Sequence, residues 1–224
     1  MRRITALEIQ KKDHERVNVY LDGEFAFGLN IMDATRLSKG QELSEEDIAA
    51  LCADDDAVRA MNHGIVLLSY RPRSISEIRQ NLAKKKYSEE SIEKALSKLE
   101  SMGYVDDKAF ARFWVENRNQ FKPHGAQALR YELRQKGIDD TAIEEVLEEM
   151  LDEEELAYQA AQKRITRMKG KTRQEFKQKI GSFLQRRGFN YSHINSALIR
   201  YIDELSETDP DFFTEADEGN RTLI

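Results

Sequence analysis

The sequence predicts a mainly α-helical chain: three tandem three-helix, helix-turn-helix-like repeats in an extended curved stack, behind a small N-terminal antiparallel β-sheet. Three observations predict it. The first is an internal step of 51 residues (133 − 82, and again 184 − 133) that links Leu82, Leu133 and Leu184. The same step links Tyr87, Ile138 and Phe189, then Ile92, Ile143 and Ile194, then Leu96, Leu147 and Leu198. Polar positions keep the register: Lys85, Lys136 and Arg187 are basic, and Ser88, Asp139 and Asn190 are all N-cap formers. The second is apolar spacing at i, i+3, i+4 and i+7, as in Ile92, Ala95, Leu96 and Leu99. The third is strand-like alternation confined to the first fifty residues. Units this short bury too little surface alone, so each copy stacks on the next and the product is an extended surface.

The elements follow in order. Residues 1–55 form the N-terminal part, with a first strand at Ile4 to Ile9. Val17 to Leu21 and Phe25 to Leu29 alternate around Asp22-Gly23, a hairpin signal because both central turn residues need positive φ. The expected sheet has three strands. A short helix near Ile31 to Leu37 follows, and Ser44 with Asp47 makes an imperfect capping box. Asp54-Asp55-Asp56 is read as a cap or a boundary. Repeat 1 spans 56–105, with a break at Arg71-Pro72-Arg73 and a capping box at Ser74 to Glu77. Repeat 2 spans 106–152 and breaks at Lys122-Pro123; repeat 3 spans 153–205, with a capping box at Thr172 to Glu175. The acidic tail, 206–224, is expected to be loosely held unless Phe212-Phe213 docks.

The net charge of −6 hides a strong segregation. Lys163 to Arg187 holds ten basic residues and one acid, Glu175, whereas Asp139 to Glu155 holds ten acids and no base. Contact with a polyanion therefore has to be argued patch by patch. The only apolar runs are short, so no membrane span or signal-peptide core is expected. The lone Cys52 fits a reducing cytoplasm and a place on a helix face.

No catalytic constellation is present. The chain has neither a phosphate-binding loop nor a dinucleotide fingerprint, and its four histidines lie at no metal-ligand spacing. No catalytic residue, metal or cofactor is expected. The aromatic set Phe110, Phe113, Trp114 and Phe121 is read as core packing rather than base stacking. Basic residues flank the second helix of every repeat. The candidate partner-binding edge is Arg71, Arg73, Lys85, Arg118, Lys122, Arg130, Arg134, Lys136 and Arg187. Lys136 and Arg187 also suit a helix C-terminus, where they offset the dipole. Arg71, Arg73 and Lys122 precede their helices, where a cation is unfavourable, which favours a binding role.

Several linked motifs resemble the RecX family, bacterial modulators of the RecA recombinase. They are Tyr70 to Ser74 with Glu77-Ile78, Gly103 to Ala111 followed by Phe113-Trp114-Val115, Leu129 to Ile138, and Phe183 to Phe189. The match runs from about Arg59 to Leu205, and the N-terminal sheet is similar to an extension of longer members. Pro72 and the long acidic end depart from the pattern. The resemblance implies a cytoplasmic, non-enzymatic regulator, here expected to be a monomer. It would lie in the groove of the RecA–single-stranded DNA filament and restrain ATP hydrolysis, strand exchange and coprotease activity in DNA repair and recombination. Two other readings are a helix-turn-helix module binding single- or double-stranded DNA without RecA, and a repeat scaffold for another protein.

Overall fold

A computed structural model describes residues 1–214; the last ten residues of the expected acidic tail, 215–224, lie outside the described residues. The fold is mainly helical with a small antiparallel sheet, and it divides into two compact units, one ending at Asp106 and one beginning at Asp107.

In the first unit, β1 (Arg2–Ile9), β2 (Arg16–Leu21) and β3 (Glu24–Asn30) form the expected meander. Asp22 and Gly23 turn the hairpin with φ of 53° and 93°. The sheet has four strands rather than three, in the order β3-β2-β1-β4. The extra strand, β4 (Glu42–Leu43), pairs Leu43 with Arg2 and Glu42 with Arg3, and is too short to leave an alternating pattern. The helix α1 (Ile31–Ala34) is one turn long and capped by the Asn30 side chain. Ile4, Val17, Val19, Leu21, Leu29 and Leu43 make the core beneath the sheet, with Ile48 and Leu51 packed on it from the next helix.

That helix, α2 (Glu45–Tyr70), corrects the expected limit at residue 55. It runs unbroken for 26 residues, about 39 Å, from a capping box in which Ser44 and Asp47 satisfy each other's backbone N–H. The Asp54-Asp55-Asp56 run lies inside it because each aspartate has an acceptor's work to do there. Asp54 holds Lys94 at 3.1 Å, Asp56 holds Arg59 at 3.1 Å, and Asp55 is almost wholly buried. The Asp55 carboxylate accepts from both terminal nitrogens of Arg16, at 3.1 and 2.8 Å, and from the Asn30 backbone N–H at 2.9 Å. The first half of α2 therefore belongs to the sheet. Its second half, through Ala60, Met61, Ile65 and Leu68, belongs to repeat 1 with α3 (Ile75–Lys84) and α4 (Glu89–Ser101).

The second unit holds repeat 2, α5 (Asp107–Phe121), α6 (Ala126–Gln135) and α7 (Asp140–Met150), and repeat 3, α8 (Glu153–Ile165), α9 (Arg173–Arg186) and α10 (Tyr191–Thr208). A 3₁₀ turn, Thr166–Met168, follows α8. The 51-residue step is visible in the helix starts at Glu89, Asp140 and Tyr191, each preceded by a cap, Ser88, Asp139 or Asn190, that accepts a first-turn N–H. The residue closing each second helix is left-handed: Lys86 (φ 67°), Gly137 (76°) and Gly188 (82°). Only repeat 1 places a side chain there, where a Cβ costs about 1–2 kcal/mol. Lys86→Gly is therefore expected to raise stability by roughly 0.5–1 kcal/mol in urea unfolding. A loss of stability would contradict that reading.

The end of the chain is another correction. Helix α10 continues to Thr208, and Phe212 is buried in the repeat 3 core. Gly170 N–H donates to the Phe212 carbonyl at 2.9 Å, Thr214 N–H to the Lys171 carbonyl at 3.2 Å, and Lys169 holds Asp209 at 2.5 Å. Phe213 packs edge-on against Phe176 with ring centres 5.3 Å apart. Phe212 and Phe213 supply the burial that anchors this stretch.

Candidate partner-binding surface

The nine basic residues divide between the units: Arg71, Arg73 and Lys85 in the first, Arg118, Lys122, Arg130, Arg134, Lys136 and Arg187 in the second. Most are already engaged within the chain. Arg71 makes a two-pronged pair with Glu77 at 2.9 and 3.2 Å, so a first-turn carboxylate of α3 offsets the unfavourable cation. Arg73 donates to the Leu67 carbonyl at 3.1 Å. Arg130 grips Glu144 through two bonds of 2.6 and 2.7 Å, and Arg134 meets Asp140 at 2.7 Å. Lys85 and Lys122 are exposed, and their ammonium groups meet no partner among the described residues.

Arg118, Lys136 and Arg187 fall into a cluster built around aromatic rings. Arg118 and Lys136 both lie over the half-buried Trp114, at 4.7 and 4.8 Å from its centre. The Glu132 carboxylate accepts from the Trp114 Nε1–H and from the Arg118 Nε–H, each at 2.7 Å. Arg187 lies 4.9 Å over Phe183 and donates to the Pro123 carbonyl at 3.1 Å. Arg164, absent from the candidate set, lies 4.1 Å over the same ring. Burial first, and then the Arg164 charge, push the Arg187 guanidinium below its ordinary value. Two like charges face one ring here, and neither meets a carboxylate among the described residues. The aromatic set also splits: Phe110 is buried as expected, while Phe113 and Phe121 stand exposed.

The imbalance is regional. Arg79, Arg112, Arg118, Arg130 and Arg134 of repeats 1 and 2 all meet carboxylates. Among the described residues Arg164, Arg167, Arg186 and Arg187 of repeat 3 meet none, nor do Lys163, Lys177 and Lys179. Of the ten basic residues from Lys163 to Arg187, Lys169 and Lys171 pair with Asp209 and Glu175 and Arg173 bonds Ser206; the other seven meet no carboxylate among the described residues, whereas the edge of repeat 2 is largely neutralised. The signal available in the sequence was the run from Lys163 to Arg187, which carries one acid.

His124 sits beside this cluster. Burial holds its imidazole below the usual histidine range, opposed by a hydrogen bond to the Lys122 backbone and by Glu132, and aided by Arg187 and Arg118. The neutral form is the folded one, so the unfolded chain binds the proton more readily. Its contribution is complete above the ordinary pKa of 6.5 and is lost as the pH falls through that value. Urea unfolding between about pH 7.5 and about pH 5.5 is expected to show a stability loss that His124→Gln reduces. An identical slope in both proteins would contradict this.

A cavity of about 640 Å³ in the second unit is lined by Glu144, Glu148, Asp152, Glu153 and Glu154, and its one arginine, Arg130, is already paired. It suits no anion. Among the described residues no group of three or more His, Cys, Asp or Glu is placed to hold a metal, and no helix is long and apolar enough to cross a membrane.

Three-helix repeats joined to a small antiparallel sheet define the structural class of the protein. Family profiles make the class specific. "Regulatory protein RecX N-terminal domain" matches residues 2–44, and the first, second and third three-helix domains of RecX match 60–99, 106–147 and 152–198. "Regulatory protein RecX" of Bacillus pumilus is 34% identical over 208 residues, covering 91% of this chain and 79% of that protein. The protein of the same name from Bacillus subtilis is 33% identical, covering 95% of this chain and 81% of that one. A crystal structure of regulatory protein RecX superposes with a TM-score of 0.71 at 32% identity, covering 91% of this chain and all of that one. RecX from Lactobacillus salivarius gives 0.62 at 26% identity, over 67% of this chain and 99% of that one. The chain belongs to the RecX family of regulatory proteins.

Proposed function

We propose that this protein regulates the RecA recombinase by binding the RecA–single-stranded DNA filament in its groove, restraining ATP hydrolysis, strand exchange and coprotease activity. It acts in the cytoplasm as a non-enzymatic monomer, needs no cofactor, and works in DNA repair and recombination. Membership of the RecX family supports the reading, and the observation that carries it is the seven basic side chains of repeat 3 that meet no carboxylate among the described residues. In a chain of net charge −6, seven cations of one repeat left without carboxylates favour an anionic partner. Lys122 of the same unit adds a charge free to be shared, and Lys85 of the first unit is a separate one. Arg71, Arg130 and Arg134 serve the partner less directly, because a competing carboxylate would first have to displace Glu77, Glu144 or Asp140.

The test is co-sedimentation with RecA filaments on single-stranded DNA. Lys85→Glu, Lys122→Glu and Arg186→Glu, combined in one full-length variant, are expected to weaken binding at least tenfold. None of the three side chains pairs with a carboxylate among the described residues, so the fold should be undisturbed. Unchanged binding would overturn the proposed surface. Where phosphates carry the contact, affinity should drop by roughly three to five orders of magnitude between 50 and 200 mM salt for 6–10 contacts. A shallower slope assigns the contact to acidic protein surface. The second reading, duplex recognition without RecA, requires a sequence-specific footprint from the protein alone.

A further inference from the structure

Repeats 1 and 2 close the space between their second and third helices with the same ion pair, and repeat 3 does not. In repeat 1 Arg79 of α3 meets Glu93 of α4; in repeat 2 Arg130 of α6 meets Glu144 of α7. Each pair is 14 residues apart, and the two pairs are separated by the 51-residue step. The next step leads to Gly181 and Asn195. Arg134 and Asp140, which also pair, are likewise replaced by Gln185 and Tyr191. Where the first two copies are clasped, the third has a groove of about 580 Å³.

Packing does not demand the glycine. A Cβ on Gly181 would lie 3.7 Å from Ile194 and Leu198, an ordinary contact. Glycine inside a helix costs roughly 0.5–1 kcal/mol relative to alanine, so it is kept against helix stability. What the open clasp exposes is mostly polar and uncharged. The groove is lined by the amides of Gln127, Gln178, Gln185 and Asn195, with Lys177 at its side and no carboxylate. Those four amide groups make no hydrogen bond among the described residues. Phe189, Ile194 and Leu198, almost wholly buried in the core, close its floor, and Tyr191 stands 83% exposed at the edge.

We propose that this groove holds a nucleotide of a single-stranded nucleic acid. An unpaired base has a flat apolar face for the Tyr191 ring, and an edge of mixed donors and acceptors. A primary amide offers both kinds of group and so meets any base edge. Lys177, at the side of the groove, meets a phosphate. An acidic peptide fits less well, because carboxylates call for donors alone and leave the amide carbonyls without a role. The groove takes one splayed base, so a duplex does not enter it. The assignment stands apart from the filament reading and is tested without RecA.

The test rebuilds the clasp. Full-length Gly181→Arg/Asn195→Glu carries the pair found in the other two repeats and leaves the net charge unchanged. Binding of a labelled oligothymidylate of about twelve nucleotides is measured by fluorescence anisotropy at low salt. The wild type is expected to bind, and the clasped variant to bind at least tenfold more weakly while melting no earlier. Tyr191→Ala, at a side chain too exposed to matter for folding, is expected to lose about fivefold or more through stacking. That variant decides the matter if the clasped one fails to fold. Wild-type failure to bind, equal binding by the clasped variant, or clasp-sensitive binding of oligoglutamate but not of the oligonucleotide would each overturn the assignment. RecA inhibition that survives the clasp leaves the filament reading standing and the groove reading judged by the oligonucleotide alone.

Discussion

Gly125→Ala is expected to destabilise the second unit by about 3 kcal/mol or more, as overpacking against fixed backbone does. Repeats 2 and 3 meet there through main chain. Gly125 N–H donates to the Arg187 carbonyl at 2.9 Å, and a Cβ on Gly125 would lie 2.3 Å from the Gly188 carbonyl oxygen. The contact is reciprocal, since a Cβ on Gly188 would fall 2.5 Å from the Ala128 nitrogen. No rotamer relieves a clash between backbones, so α6 and the turn between α9 and α10 would have to separate. That same closeness explains why α6 starts on glycine, a position normally given to a capping side chain. The missing cap comes from α8, where the Glu153 carboxylate accepts the Ala126 N–H at 2.9 Å. Trp114, the chain's single tryptophan, lies in this unit and reports its urea unfolding. A loss below about 1 kcal/mol would show that the two repeats are not locked by this contact.

Asp55→Ala is expected to cost about 3–5 kcal/mol in the first unit, the usual penalty for breaking a buried pair. The Arg16 guanidinium, whose side chain is only 20% exposed, would keep its charge and lose its carboxylate. The Asn30 N–H would lose its acceptor, leaving Arg16 with the Gly28 carbonyl at 3.1 Å. Because Asp55 sits in the middle of α2, the loss should loosen the sheet from the helix that continues into repeat 1. Amide hydrogen exchange in β2 and β3 should rise while α5 to α10 keep their protection. If β2 and β3 stay protected, the sheet is held by its apolar core alone.

These two sites mark the boundary of what the sequence makes legible. Repetition was readable because cores and caps are local: Leu82, Leu133 and Leu184 are fully buried, and Ser88, Asp139 and Asn190 cap as their residue types dictate. The Asp-Gly hairpin was readable for the same reason. Asp55 was misread because an aspartate run looks like a cap, and its partner Arg16 lies 39 residues away on a strand. The pairings along the candidate edge were not legible because composition records charges without their partners. Arg130 and Arg134 look available until Glu144 and Asp140 are placed opposite them. A search for opposite charges 14 residues apart in two copies would have found the clasps, and the same search would have isolated Gly181 and Asn195. Arg164 carried no such signal, since its meeting with Arg187 over Phe183 depends on how α8 packs against α9.

The most direct test of the regulatory role is the rate of ATP hydrolysis by RecA on single-stranded DNA, titrated with the full-length chain at constant salt. The expected result is a rate that falls progressively and saturates, with the Lys85, Lys122 and Arg186 reversal shifting the midpoint at least tenfold upward. A rate unaffected by saturating protein would contradict the role itself, and a midpoint untouched by the charge reversals would contradict the surface assigned to it.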